Sequence, residues 1–178
     1  MKDAGQKDLL YRHFRGQGCF TMAEVPISAR ERTGVQEKLI TDVDVLGLRP
    51  STDLCWEVLV GDCKTRKGES AANRALWVRS LMEFMHAKRG YLVLRRGRTL
   101  IEPDHKLFAD GLGVTLLDED EFAAFDRAML YPAGWPRIHS ESATELRAFY
   151  DMLGTRFPRL QPLLKFMTSS AWLEPDHF

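Results

Sequence analysis

The feature that most narrows the fold is a segment in which side-chain character alternates with period two, joined by a short turn to a second run of strand length. From Glu37 to Leu48, Leu39, Thr41, Val43 and Val45 point one way, and Lys38, Ile40, Asp42 and Asp44 the other. Leu54 to Lys64 is a second run of strand length. Between them, Arg49-Pro50-Ser51-Thr52-Asp53 is a turn by composition, because proline presets one backbone torsion and serine or aspartate can bond the chain locally. The two runs therefore predict an antiparallel hairpin. A helix follows from Ala71 to Lys88, with Ser70 as N-cap, an apolar stripe of Ala71, Ala75, Val78, Met82 and Met85, and Gly90 to close it. Tyr91 to Arg95 and Val114 to Leu117 are further short strands. A hairpin leading into a helix and more strands is the pattern of an α/β domain with a mixed sheet.

The flanks add helices. Gln6 to Gly16 sets Leu9, Leu10, His13 and Phe14 on one side, and Gly16-Gln17-Gly18 stops that helix. Phe20 to Ile27 reads as a strand, Ser28 to Gly34 as a loop and Lys106 to Asp110 as a short helix. Asp118-Glu119-Asp120-Glu121 resembles a metal cluster on paper. It is read instead as the start of a helix running to about Leu130, because a helix N-terminus favours negative charge. The Pro/Gly segment Tyr131–Pro136 marks a boundary, giving a domain over 1–131 and an extension over 132–178. That extension, with a helix from about Ser142 to Leu153 and an apolar stretch at Leu160 to Phe166, reads as a small helical C-terminal appendage.

The 178 residues suit one catalytic domain, and 44% apolar with 28% charged residues excludes a disordered chain. No apolar run reaches the ~20 residues of a membrane-spanning helix, and Met1 to Gly5 lacks the apolar core of a signal peptide. The expectation is a cytoplasmic protein with no membrane partner. Cys19, Cys55 and Cys63 form an odd set without a C-x-x-C pair and read as buried thiols. The histidines have no zinc-site spacing, and no phosphate-binding loop is present. The formal net charge is zero, yet charge is segregated. Residues 60–100 carry Lys64, Arg66, Lys67, Arg74, Arg79, Lys88, Arg89, Arg95, Arg96 and Arg98 against only Asp62, Glu69 and Glu83. A basic middle of this kind can meet phosphates although the whole chain is neutral, since the attraction is screened beyond about 10 Å.

In Asp62-Cys63-Lys64, strand alternation puts Asp62 and Lys64 on one face and Cys63 on the other. The hairpin brings Asp42 and Asp44 of the partner strand near them. Inward-pointing charges on apolar strands lose hydration and need compensation, which a divalent cation supplies. Mg²⁺ takes hard oxygen ligands, so Asp44 and Asp62 are the candidate metal ligands, together with the backbone carbonyl of Cys63, and Mn²⁺ would substitute. Lys64 would orient or deprotonate the attacking water and offset charge on a phosphate. The plain alternative is a salt bridge of Asp62 or Asp42 with Lys64 on a half-exposed hairpin. Arg66 and Lys67, directly after the strand, and Arg74 and Arg79, on the helix, are the candidate nucleic-acid contacts.

The segments Thr41-Asp42-Val43-Asp44-Val45-Leu46-Gly47 and Val60-Gly61-Asp62-Cys63-Lys64 resemble the two strand motifs of the PD-(D/E)xK, or restriction-endonuclease-like, nucleases, nearest to the Mrr-like branch. Gly90-Tyr91-Leu92-Val93-Leu94 is similar to the strand after that group's central helix, and Leu107 through Leu117 to its closing segment. The resemblance spans about residues 5–130. It implies an αβββαβ core and Mg²⁺-dependent phosphodiester hydrolysis in DNA, in restriction, repair or antiviral defence. By matching position, Asp44, Asp62 and Lys64 would be the catalytic set, with Asp42 and the helix-one acid Asp8 as accessory candidates. The chain departs from the pattern in having Asp rather than Glu before Cys63-Lys64 and no Gln on the following helix, where Asn73 or Arg74 stands. A catalytically inactive module that binds nucleic acid, or a structural subunit, is the alternative. The C-terminal helices are the expected surface for a homodimer or a partner subunit.

Overall fold

The computed structural model describes residues 3–30, 37–51, 55–65, 70–95, 101–129 and 143–168. A first helix, α1 (Ala4–Gly16), leads into a three-stranded antiparallel run of β1 (Phe20–Arg30), β2 (Glu37–Pro50) and β3 (Trp56–Lys64). Helix α2 (Ala71–Phe84) crosses to β4 (Arg89–Leu94), α3 (Pro103–Gly111) to β5 (Val114–Asp118), and α4 (Glu119–Ala128) follows. β4 pairs parallel to β3 and β5 parallel to β4, so the sheet is mixed and its order is β1-β2-β3-β4-β5. Parallel neighbours need a crossover, which α2 and α3 provide.

Two cores lie on the two faces of this sheet. On one face Ala75, Val78, Leu81 and Met82 of α2 and Ala109 of α3 pack on Val60, Leu92, Leu94, Val114 and Leu116. On the other, Leu10, Tyr11 and Phe14 of α1 and Phe122 of α4 pack on Val45, Leu59, Cys63, Tyr91 and Val93. The pleat sends successive side chains to opposite faces, and because both faces are covered, neighbours along β3 serve opposite cores. The stripe expected on α2 is buried from Ala75 to Met85, with Ala71 packed at its edge. Cys19 and Cys63 are buried as expected, whereas Cys55 is exposed beside the hairpin turn, where no apolar layer covers it.

Two boundaries and one alternation pattern depart most from the sequence expectation. α2 stops at Phe84 instead of Lys88, because His86 adopts a left-handed conformation at φ 50°. The Ala87 N–H then reaches back to the Met82 carbonyl at 2.8 Å and the His86 N–H to Glu83 at 3.3 Å, a closure that glycine usually provides. β1 runs through Ser28 to Arg30, residues expected in a loop, since its partner β2 is long enough to pair them. The third concerns alternation within β1 and β2. Met22, Val25, Val43 and Leu46 are buried with the α2-side core, while Val45 is buried with, and Ala23 packs against, the α1-side core. Val43 and Val45 therefore do not share a face. The alternation slips between Ala23↔Val45 and Val25↔Val43, where the register itself is unchanged, and the residues at the slip are Glu24, at φ 53°, and Asp44; the register shifts further on, between Ile27 and Ser28.

Asp118 forms the capping box expected of the acidic run: its side chain accepts from the Glu121 N–H at 2.9 Å and Glu121 returns the bond at 3.0 Å. The C-terminal part contains α5 (Ala143–Arg156), a single 3-10 turn (Pro158–Leu160) and α6 (Gln161–Thr168). α5 touches α1 and β1, and α6 touches β1, so these helices rest on the edge strand of the sheet. The Tyr131–Pro136 boundary lies outside the described residues.

Gly90 allows α2 to approach β4. A Cβ built there would stand 2.7 Å from both Met82 Sδ and Val78 Cγ1. Met82 can yield, but Val78 is stiff about χ1. Gly90→Ala is expected to lower stability by about 1–3 kcal/mol, the usual cost of overpacking, measured as a lower urea midpoint at unchanged slope.

Candidate active site

β3 brings Asp62 and Lys64 to the carboxyl end of the parallel part of the sheet, beside the end of β4 at Leu94. Crevices outside such strand ends are where open α/β sheets bind ligands. Asp62 is 2% exposed, and alternation turns it to the α2 face between Val60 and Lys64. Ser70 caps α2 by accepting from the Asn73 N–H, which sets the first helical turn against the sheet. Arg74, one turn in, then closes a bidentate clamp on Asp62, with Nε at 2.6 Å from Oδ2 and Nη2 at 2.5 Å from Oδ1. Its guanidinium carbon lies 5.7 Å from the Trp77 ring centre. Burial pushes the Asp62 carboxyl up and Arg74 pulls it back, while Asp44 adds to the rise and Lys64 opposes it. The net shift is upward, so desolvation wins despite the clamp.

Asp44 lies just beyond the end of the β2–β3 ladder, near enough for its charge to act on Asp62. The β2–β3 ladder ends at Val45↔Gly61, and the next residues on each strand are these two acids. Asp44 fills the gap where the strands part: its Oδ2 accepts the Cys63 N–H at 2.7 Å. The Lys64 carbonyl accepts from Arg95 on the β4 side, so alternation places the Cys63 carbonyl on the β2 side, the edge that faces Asp44. The slip in β1 and β2 opens this corner to α1. Lys7, 4% exposed, extends its ammonium to Asp44 Oδ1 at 2.7 Å and to Glu24 Oε1 at 2.8 Å. Burial pulls Lys7 down, but the hydrogen bonds that it donates to Asp44 and Glu24 and the charges of those acids outweigh it and hold the ammonium above its ordinary range. Asp44 and Asp62 also push the buried Cys63 thiol up, after burial itself, which keeps it un-ionised and inert.

The structure thus brings together Asp44, Asp62, Lys64 and the Cys63 carbonyl edge. It does not bring Asp42, which is exposed and pairs through its backbone with Pro26. Lys7, not its neighbour Asp8, is the α1 residue that reaches Asp44. Arg74 faces the Asp62 carboxylate, not an open surface. Arg79 is drawn off to Glu83 and to the Leu112 carbonyl after α3, where its charge is already paired. Arg66 and Lys67 lie outside the described residues. The plain alternative of a Lys64 bridge gives way to Arg74 as the partner of Asp62, because a residue one turn into α2 sits directly over the end of β3.

Sequence reasoning missed Lys7 and Glu24. A lysine on the face of α1 that also carries Leu10, Tyr11 and Phe14 was the available signal, since a buried lysine needs acids. Glu24 interrupts a strand and leaves no such mark.

No three His, Cys, Asp or Glu side chains converge on a metal position among the described residues. The donor chemistry still suits Mg²⁺: two carboxylates and a backbone carbonyl are hard oxygens, and each carboxylate oxygen keeps a lone pair beyond its present bond. No family model, curated protein or solved structure matches the chain. No described helix is long and apolar enough to cross a membrane.

Proposed function

We propose that this chain is a metal-dependent nuclease with a restriction-endonuclease-like αβββαβ core, hydrolysing phosphodiester bonds in DNA. The observation that carries the reading is that Asp44 and Asp62 are the next residues on each strand where β2 leaves β3, and that the Asp62 carboxyl feels the charges of both Asp44 and Lys64. The order of α1, three antiparallel strands, α2 and a parallel β4 fits that core. Asp44 and Asp62 would hold Mg²⁺ or Mn²⁺ with the Cys63 carbonyl. When bound, such an ion supplies charge neutralisation and polarisation of the scissile phosphate. Lys64 contributes what the carboxylates cannot: its ammonium orients the attacking water and donates to the phosphate oxygens as charge builds on them. Cys63 and the α1-side core behind it keep water from one face, while Asp44 locks its strand position through the Cys63 N–H.

A second reading has a specific observation in its favour. Lys7 and Arg74 already neutralise Asp44 and Asp62, an arrangement that would also suit a fold that binds nucleic acid without cutting it.

The two part in one experiment. A supercoiled plasmid incubated with the protein in Mg²⁺ or Mn²⁺ is expected to be nicked or linearised, and EDTA or Asp44→Asn to stop the reaction. Binding without cleavage in either metal would set the nuclease reading aside in favour of the binding module.

A further inference from the structure

Resting on the proposed metal site, we propose that Arg74 is a built-in competitor for Asp62, which gives the carboxylate up only when a divalent cation and a nucleic-acid phosphate arrive together. Both Asp62 oxygens are engaged by the one guanidinium, at 2.6 and 2.5 Å. A cation approaching Asp62 therefore meets a like charge on the oxygens it needs. Asp62 is too buried to stand alone as an anion, so Arg74 leaves only as another positive charge takes over. The displaced guanidinium can then take up a nucleic-acid anion, since its planar fork matches a phosphate as well as a carboxylate. Trp77 offers a ring face along which the head can slide, its centre 5.7 Å from the guanidinium carbon. Asp44 is held differently, by a separate ammonium and a backbone N–H, one on each oxygen. The asymmetry assigns the gating to Asp62. Metal and phosphate binding then assist each other, by the same factor in both directions.

The test is a Mn²⁺ titration of the full chain, followed by the magnetic-resonance signal of the free ion, with and without a duplex of phosphorothioate linkages whose own uptake is subtracted. In the unaltered protein the duplex is expected to tighten Mn²⁺ binding by at least about tenfold. Arg74→Gln is expected to bind Mn²⁺ at least about tenfold tighter without the duplex, and to lose most of the duplex effect. Melting curves establish that each variant is folded. Should Arg74→Gln unfold, Arg74→Lys, which keeps a charge but not the fork, is expected to bind Mn²⁺ several-fold tighter than the unaltered protein. If neither substitution tightens binding while Asp62→Asn weakens it, Arg74 is no competitor and the metal site stands. If Asp44→Asn and Asp62→Asn both leave Mn²⁺ binding unchanged, the metal site and the role of Arg74 fall together.

Discussion

Lys64→Ala is expected to slow Mg²⁺-dependent DNA cleavage by about 10²–10³-fold, the usual cost of removing one group that stabilises charge only in the transition state. Duplex affinity measured in EDTA should change little, because one phosphate contact among many is lost. Lys64 lies at the end of β3 with its charge felt by Asp62, and the substitution makes no cavity, as the side chain is only half-buried. A second signature follows from the same charge. Lys64 holds the Asp62 carboxyl down against burial, so its removal lets the carboxyl rise further. Asp62 must be ionised to hold a cation, and the acidic limb of the residual rate should therefore move to higher pH. Single-turnover cleavage across pH, with fluorescence anisotropy for binding, reads both effects. A variant that cuts at the original rate would remove Lys64 from the chemistry.

Lys7→Met is expected to destabilise the fold by about 3–5 kcal/mol, because it strands buried acids without their cation. The partly exposed Glu24 can turn to water, so the cost arises mainly at Asp44. The pH dependence has a definite sign. Lys7 is raised above its unfolded value of 10.5, so its contribution is complete below that pH and fades only as pH climbs through the still higher folded value. The gap between the unaltered protein and Lys7→Met should thus stay flat on the alkaline side from neutrality to about pH 10. Lys7→Met combined with Glu24→Gln should recover only a small part of the loss, since the partly exposed Glu24 already turns to water and the unpaired acid that costs most is Asp44. Urea unfolding at several pH values measures each difference. A loss below about 1 kcal/mol for Lys7→Met would mean that water already solvates this corner.

Much of the scaffold was legible before any coordinates. Alternation in 37–48, the strand-length run of 54–64 and the turn between them led to the β2–β3 hairpin, and the Ala75, Val78, Met82 and Met85 stripe led to α2. These features are local: period two and period 3.6 are properties of a short stretch of chain, and burial of one face selects between them. The acidic run at Asp118 was likewise readable as a cap, because a capping box closes within four residues.

The environment of the candidate site was legible only in outline. The sequence placed Asp62 and Lys64 on one face and Asp44 within reach, since those statements need only alternation and a hairpin. It could not reveal that alternation slips at Glu24 and Asp44, because the slip takes two strands in register and a helix behind them. Nor could it assign the counter-ions. Lys7 lies 37 positions from Asp44, and Arg74 lies 12 from Asp62. Which cation meets which acid depends on where α1 and α2 cross the sheet. Residue type and spacing thus determined the elements and the acids of this protein, whereas packing decided their charge partners, because Coulomb energy follows distance in space and solvent exclusion, neither of which is written along the chain.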